Sequence, residues 1–332
     1  MRRREFIRIV GLSAAWPLIA HAQGTQRSMP LVGAIWVGDA ATRTSLGLKN
    51  AFSEGLRENG YIAGRNIQIE DRFAGSDLEA LRVAAEQLVH LNVDVILAGG
   101  SSAALAAKHV TQTIPIVGVS MADPVADGLV GSLARPGGNV TGNTFIGPEL
   151  GTKRFQLLKE AIPAAVRFAG LQQPKAYGER TMQYMASELQ EKARSAQTDF
   201  RVFNASHPDE FDSAFEAMVA WHAEALVTFP SAMFYANFKR IVDLASKHSI
   251  PTIYVFTEAV HAGGLMCYGA DIADLSRLGA KYVAKILQGA KSADLPIEQP
   301  TKFQFVINAR TAKALGLAMP ATLLAIADEV IE

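Results

Sequence analysis

The sequence predicts an α/β protein built from two doubly wound parallel-sheet lobes joined by crossover hinge segments. Three observations carry this. Short, continuous apolar runs alternate with longer amphipathic stretches, as in strand–helix units whose sheets are buried on both faces. The alternation starts afresh near residue 145, so it occurs twice. A chain of 332 residues also has the length of two domains rather than one.

In the first set, 31–37 (LVGAIWV) is an apolar run that predicts a fully buried strand. A helix is expected over 44–59, with Leu46, Leu48, Phe52 and Leu56 as its apolar positions and Gly60 as its stop. A strand over 67–72 follows, then a helix to Leu91 that Asp77 caps by accepting first-turn amides. A strand over 93–98 leads to a helix capped by Ser101 or Ser102 and running to Gln112. A strand over 116–120 and a short helix over 124–133 come next. Arg135-Pro136-Gly137-Gly138-Asn139 is a loop, and 140–145 a crossover between lobes.

In the second set, helices are expected over 150–161, 179–196, 208–222 and 232–248, with strands over 167–171, 200–204, 225–229 and 251–256. A short strand at 265–268, a helix over 272–289, a strand over 303–308 and two short helices complete the chain. The segments at 265–268 and after Pro300 are the further crossovers. Residues 30–144 with 270–298 thus form one lobe, and 145–269 with 299–332 the other.

Residues 1–22 read differently. Met1-Arg2-Arg3-Arg4-Glu5-Phe6-Ile7-Arg8 is basic, 9–20 is apolar, and Ala20-His21-Ala22 fits a cleavage site. The apolar run is too short to span a membrane, which takes about 20 residues. A signal peptide cleaved near Ala22 is expected, hence a periplasmic protein, and the arginine pair fits twin-arginine export.

Beyond residue 22 the chain has 28 basic and 31 acidic residues, leaving no cationic excess to hold nucleic acid. No later apolar run reaches spanning length, so no membrane insertion of the mature chain is expected. Cys267 is the lone cysteine, and the seven histidines show no metal-ligand spacing, so neither metal nor cofactor is expected. A monomer is expected.

Ligands of open α/β sheets bind beyond the carboxyl ends of the strands. After the first strand comes Trp36, able to stack on a ligand and donate its indole N–H. After the third come Gly99-Gly100-Ser101-Ser102, where glycine lets a ligand approach, and a helix start and two hydroxyls suit a carboxylate. The turn is neither a Walker loop, since no Gly-Lys-Ser/Thr follows, nor a nucleophile elbow, since Ala103 stands where the second glycine belongs. Asp123 can cap a following helix or meet a ligand amine. In the second lobe Gln172-Gln173, Pro230-Ser231 and Thr257-Glu258 stand at strand ends, and Phe145, Phe229, Phe256 and Tyr268 are candidate aromatic walls.

One long stretch is specific: Ala122-Asp123-Pro124-Val125-Ala126-Asp127-Gly128-Leu129-Val130, continuing Ser132-Leu133-Ala134-Arg135-Pro136-Gly137-Gly138-Asn139-Val140-Thr141-Gly142. With it go Gly64-Arg65-Asn66, Gly263-Gly264-Leu265-Met266 with Tyr268-Gly269, and Pro300-Thr301-Lys302-Phe303 through Ala314-Leu315-Gly316-Leu317. On these the chain resembles the ABC-transporter substrate-binding proteins of the tryptophan/tyrosine type, a branch of the type I periplasmic binding proteins. The resemblance implies two lobes that close on a small-molecule ligand, delivery to a membrane permease, and no catalysis. Carried over by position, Trp36, Ser101, Ser102 and Asp123 face the cleft from one lobe, and Ser231 and Thr257 from the other. Ala232-Met233-Phe234-Tyr235 depart from the polar residues of amino-acid-binding relatives and point to a more apolar or aromatic ligand. Two alternatives stand beside this reading: a secreted serine hydrolase using Ser101, and a sensory ligand-binding partner of a receptor.

Overall fold

A computed structural model describes residues 29–38, 40, 43–75 and 77–332. The expected leader, with Arg3, Arg4 and Ala22, lies outside the described residues.

Among the described residues, five strands form the first sheet: β1 (Leu31–Val37), β2 (Gln68–Ala74), β3 (Val95–Gly99), β4 (Ile116–Met121) and β5 (Val140–Thr144). Their order is β2-β1-β3-β4-β5, and every pairing is parallel. The second sheet holds β6 (Arg167–Gln172), β7 (Asp199–Asn204), β8 (Ala225–Thr228), β9 (Thr252–Tyr254), β10 (Met266–Ala270), β11 (Phe303–Asn308) and β12 (Glu329–Ile331), in the order β12-β11-β10-β9-β8-β6-β7. The helices in chain order are α1 (Arg43–Glu58), α2 (Leu78–His90), α3 (Ser101–Val110), α4 (Gly147–Ala161), α5 (Glu179–Ser195), α6 (Phe211–Ala220), α7 (Ala232–Ala236), α8 (Phe238–Lys247), α9 (Thr257–His261), α10 (Ile272–Leu287), α11 (Ala309–Ala314) and α12 (Ala321–Ile326).

Each sheet is covered on both faces, as its continuous apolar strands require. Leu81, Leu88, Ala103 and Ala107 of α2 and α3 cover one face of the first sheet; Phe52, Leu56, Leu275 and Val283 of α1 and α10 cover the other. In the second sheet Phe211, Met218 and Ile241 pack on one face, and Phe155, Leu189 and Leu323 on the other.

The chain crosses between lobes three times. It leaves β5 for α4, leaves β10 for α10 in the first lobe, and returns along residues 295–302 to β11. The outgoing and returning chains run side by side: Glu298 N–H donates to Gly142 O at 3.0 Å, and Thr144 N–H to Glu298 O at 3.0 Å.

Several expectations need correction. Residues 124–133 form turns, not a helix. The Asp123 carboxylate accepts the Val125 and Ala126 amides, and Gly128 then turns left-handed at φ +70°. The helix expected over 232–248 breaks at Asn237, whose side-chain amide takes the Met233 carbonyl of the previous turn. The cap of α3 is Gly100, with no side-chain cap, so neither serine fills that role. The second sheet is mixed: β11 runs antiparallel to β10 and carries the unexpected β12 beside it. The five-residue α9 also falls within a stretch expected to be loop.

Candidate functional site

The carboxyl ends of β1, β3 and β4 face those of β6, β8 and β9 across a cleft. The two lobes enclose a cavity of roughly 100 Å³ there. The first lobe contributes Trp36, Gly100, Ser101, Ser102 and Ser120; the second contributes Gln173, Tyr177, Ser231, Tyr235 and Phe256; Phe145 stands at the crossover.

Trp36 is 3 % exposed and meets Phe52 edge-on at 5.9 Å. Its indole N–H donates to Asp71 Oδ1 at 2.7 Å, and Lys49 pairs with the same carboxylate. The donor expected for a ligand is therefore committed within the protein, which fixes the ring as a wall.

Ser101 is 1 % exposed, and its hydroxyl oxygen accepts the Ala122 amide at 3.0 Å. That bond ties the end of β3 to the turn after β4. The Ser102 hydroxyl has no partner among the described residues. Gly100 sits at φ +89°, which places the chain so that α3 starts at the cleft. The Ser101 and Ser102 amides open this ten-residue helix, where the dipole favours an anion.

Ser120 was not singled out from sequence. It holds φ +56°, a strained region for a residue with a side chain. Asn143 Oδ1 accepts its amide at 2.8 Å, and its buried hydroxyl oxygen has no partner among the described residues. An orphan hydroxyl beside a cavity is suited to a ligand. The only signal in the sequence was its place at a strand end.

Ser231 is 1 % exposed; its hydroxyl donates to Gln173 Oε1 and accepts the Phe234 amide, capping α7. Tyr235 packs edge-on against Phe256 at 4.5 Å and donates its hydroxyl to Glu258 Oε1 at 2.8 Å. Burial first, and then the Glu258 carboxylate, push this phenol's pKa well up. Tyr177 leans on Phe145 at 6.2 Å.

Several expected residues, Asp123, Gln172, Phe229, Thr257, Glu258 and Tyr268, lie apart from the cavity lining. The Asp123 carboxylate is held in its own turn, as above. Thr257 begins α9, its hydroxyl 3.4 Å from Glu258 Oε2. Phe229 and Tyr268 pack within the core of the second lobe.

Among the described lining residues none carries a formal charge. The site offers aromatic walls, a few hydroxyls, one carboxamide and a helix start. No group of three or more His, Cys, Asp or Glu able to hold a metal exists among the described residues. Nor is any described helix long and apolar enough to cross a membrane.

A protein family described as ABC transporter substrate binding protein matches residues 34–331. A tyrosine-binding protein of Clostridioides difficile (strain R20291) is 26 % identical over 270 residues, 81 % of this chain and 76 % of that protein. An ABC domain from Streptococcus pneumonia, solved in complex with L-Trp, superposes with a TM-score of 0.81 at 24 % identity over 91 % of this chain and 100 % of that one. A ligand-free, open substrate binding protein with adhesive properties from Clostridium difficile superposes with a TM-score of 0.63 at 23 % identity over 91 % and 99 %.

Proposed function

The chain belongs to the ABC transporter substrate binding protein family, and from that premise we propose that it captures a small aromatic acid between its lobes and delivers it to a membrane permease. The observation that carries this reading is the composition of the cleft, with aromatic walls from both lobes and the open start of α3 at one end. The carboxylate is assigned to the Ser101 and Ser102 amides, with the Ser102 and Ser120 hydroxyls beside it. The aromatic body lies among Trp36, Phe145, Tyr235 and Phe256, with Gly100 giving it room and Ser231 orienting Gln173. Asp123 and Thr257 support the frame around the site.

A ligand that touches both lobes only when they meet shifts the population toward the closed form. Capture is its whole chemistry, and the protein is assigned to the extracytoplasmic side as a monomer. Residues 1–22 are the export leader: Arg3→Lys with Arg4→Lys is expected to hold the precursor in the cytoplasm, and undiminished export would remove the twin-arginine route.

The test is a thermal-shift screen against benzoate, L-tryptophan, L-tyrosine and related aromatic acids, followed by calorimetry. Binding raises the midpoint by mass action. Ser102→Ala with Ser120→Ala should weaken the best binder about tenfold or more, as expected for two lost donors to a charged group. Affinity equal to that of the unmodified protein would remove the carboxylate from that end of the cleft.

A further inference from the structure

Away from the crossovers, among the described residues, the Asp127 side chain bonds the two lobes to each other. Asp127 lies in the turn after β4, on the first lobe. Its Oδ1 accepts the Gly178 amide at 2.9 Å and the Thr181 hydroxyl at 2.6 Å, both at the start of α5 on the second lobe. Gly178 is the cap residue of this 17-residue helix and has no side chain to do the capping. An acceptor that Asp, Ser or Thr normally supplies from the helix's own chain here comes from the opposite lobe.

The surroundings are built for this contact. A Cβ at position 178 would lie 2.5 Å from Asp127 Oδ1, so glycine is what admits the carboxylate. Thr181 is fully buried. Tyr177, next to Gly178, is a wall of the cleft and packs on Phe145 at the crossover. Asp127 itself is not part of the cavity lining.

We propose that Asp127 is a closure clasp, a positioning residue that caps α5 of the opposite lobe and so favours the closed arrangement without touching the ligand. Parting the lobes leaves the Gly178 amide and the Thr181 hydroxyl to water and breaks both bonds together. The proposal rests on the capture reading only for the use to which closure is put.

The test needs no ligand. Small-angle scattering of the whole protein gives the spread of the lobes, and hydrogen exchange gives protection at residues 178–181. Asp127→Ala should raise the radius of gyration and speed exchange at 178–181 about tenfold, as expected for a lost bond to a charged acceptor. Asp127→Asn, which keeps an acceptor oxygen, should stay close to the unmodified protein on both measures. Gly178→Ala, which crowds the carboxylate, should follow Asp127→Ala. If Asp127→Ala speeds exchange at 178–181 but leaves the radius of gyration unchanged, Asp127 is only a helix cap and the clasp is wrong. If it changes neither, or loosens both sheets alike, the proposal also fails. No aromatic acid enters the experiment, so failure of the ligand assignment would leave its result standing.

Discussion

Ser101 and Ser102 are neighbours with different work. The Ser101 hydroxyl holds the Ala122 amide in a buried position, whereas the Ser102 hydroxyl stands open on the cleft. Ser101→Ala therefore leaves a buried N–H without a partner, at a cost of about 1–3 kcal/mol. A lower urea midpoint with an unchanged slope is the expected result, and an unchanged midpoint would show that the Ala122 amide finds another acceptor. Asp127 carries a second residue-level consequence. Burial, above all, raises its carboxyl pKa; the Thr181 hydroxyl, the Gly178 amide and the nearby Ser101 hydroxyl oppose this, and Asp123 adds to it. An acid whose folded-state pKa is raised holds its proton more tightly when folded, so stability is lost as pH rises through that value. Asp127→Asn should thus be more stable than the unmodified protein at pH 8, with the advantage shrinking toward pH 4. Urea midpoints at the two pH values decide it; an advantage independent of pH would exclude ionisation as its source.

At the scale of elements, close backbone approach sets how the strands and helices meet. Gly142 in β5 has φ +131°, and a Cβ there would lie 1.9 Å from the Gly118 carbonyl oxygen of β4. The register between these strands shifts from Gly118 to Met121, where β5 leaves for the crossover. Gly142→Ala should cost roughly 2–4 kcal/mol, measured as loss of unfolding free energy, because neither the backbone angle nor the space tolerates a side chain. A loss within 0.5 kcal/mol, about the level of an ordinary surface change, would mean that β5 can move freely from β4. A similar contact joins α1 to α10. A Cβ at Gly55 would lie 2.5 Å from the Arg277 carbonyl oxygen, and the Ser276 hydroxyl donates to Leu48 O at 2.9 Å. Through these contacts a helix that follows a strand of the second lobe becomes part of the first.

At the scale of the molecule, the two lobes meet through the cleft, the Asp127 bonds and the crossovers. Trp36 faces the cleft, whereas Trp221 packs at 5.9 Å from Phe203 within the second lobe. A ligand that fills the cleft should therefore alter the emission of Trp36 and leave that of Trp221 nearly constant. Trp36→Phe should abolish the fluorescence change and Trp221→Phe should keep it. The reverse pattern would place binding in the second lobe alone.

The sequence by itself determined the repeated strand–helix order, because apolar runs and amphipathic spacing are local properties that survive without knowledge of contacts. The strands 31–37 and 303–308 end where the pattern ends, and Asp77 caps α2 because its carboxylate needs only the amide three residues on. The turn at Gly99-Gly100-Ser101-Ser102 was legible in the same way, since strand ends and helix starts are written in adjacent residues. What depends on partners distant in the chain was decided by the tertiary structure. Trp36 gives its N–H to Asp71, 35 positions away; Ser120 takes a strained backbone conformation beside Asn143; and the Asp127 acceptor oxygen finds its donors more than 50 positions on, in the other lobe. The helix expected after Asp123 gave way to a turn, and β12 pairs with β11 as a three-residue strand too short to show a pattern. Hydrogen bonds between lobes exist only once both sheets have formed and three crossovers have brought their ends together, so no local rule could have named their members.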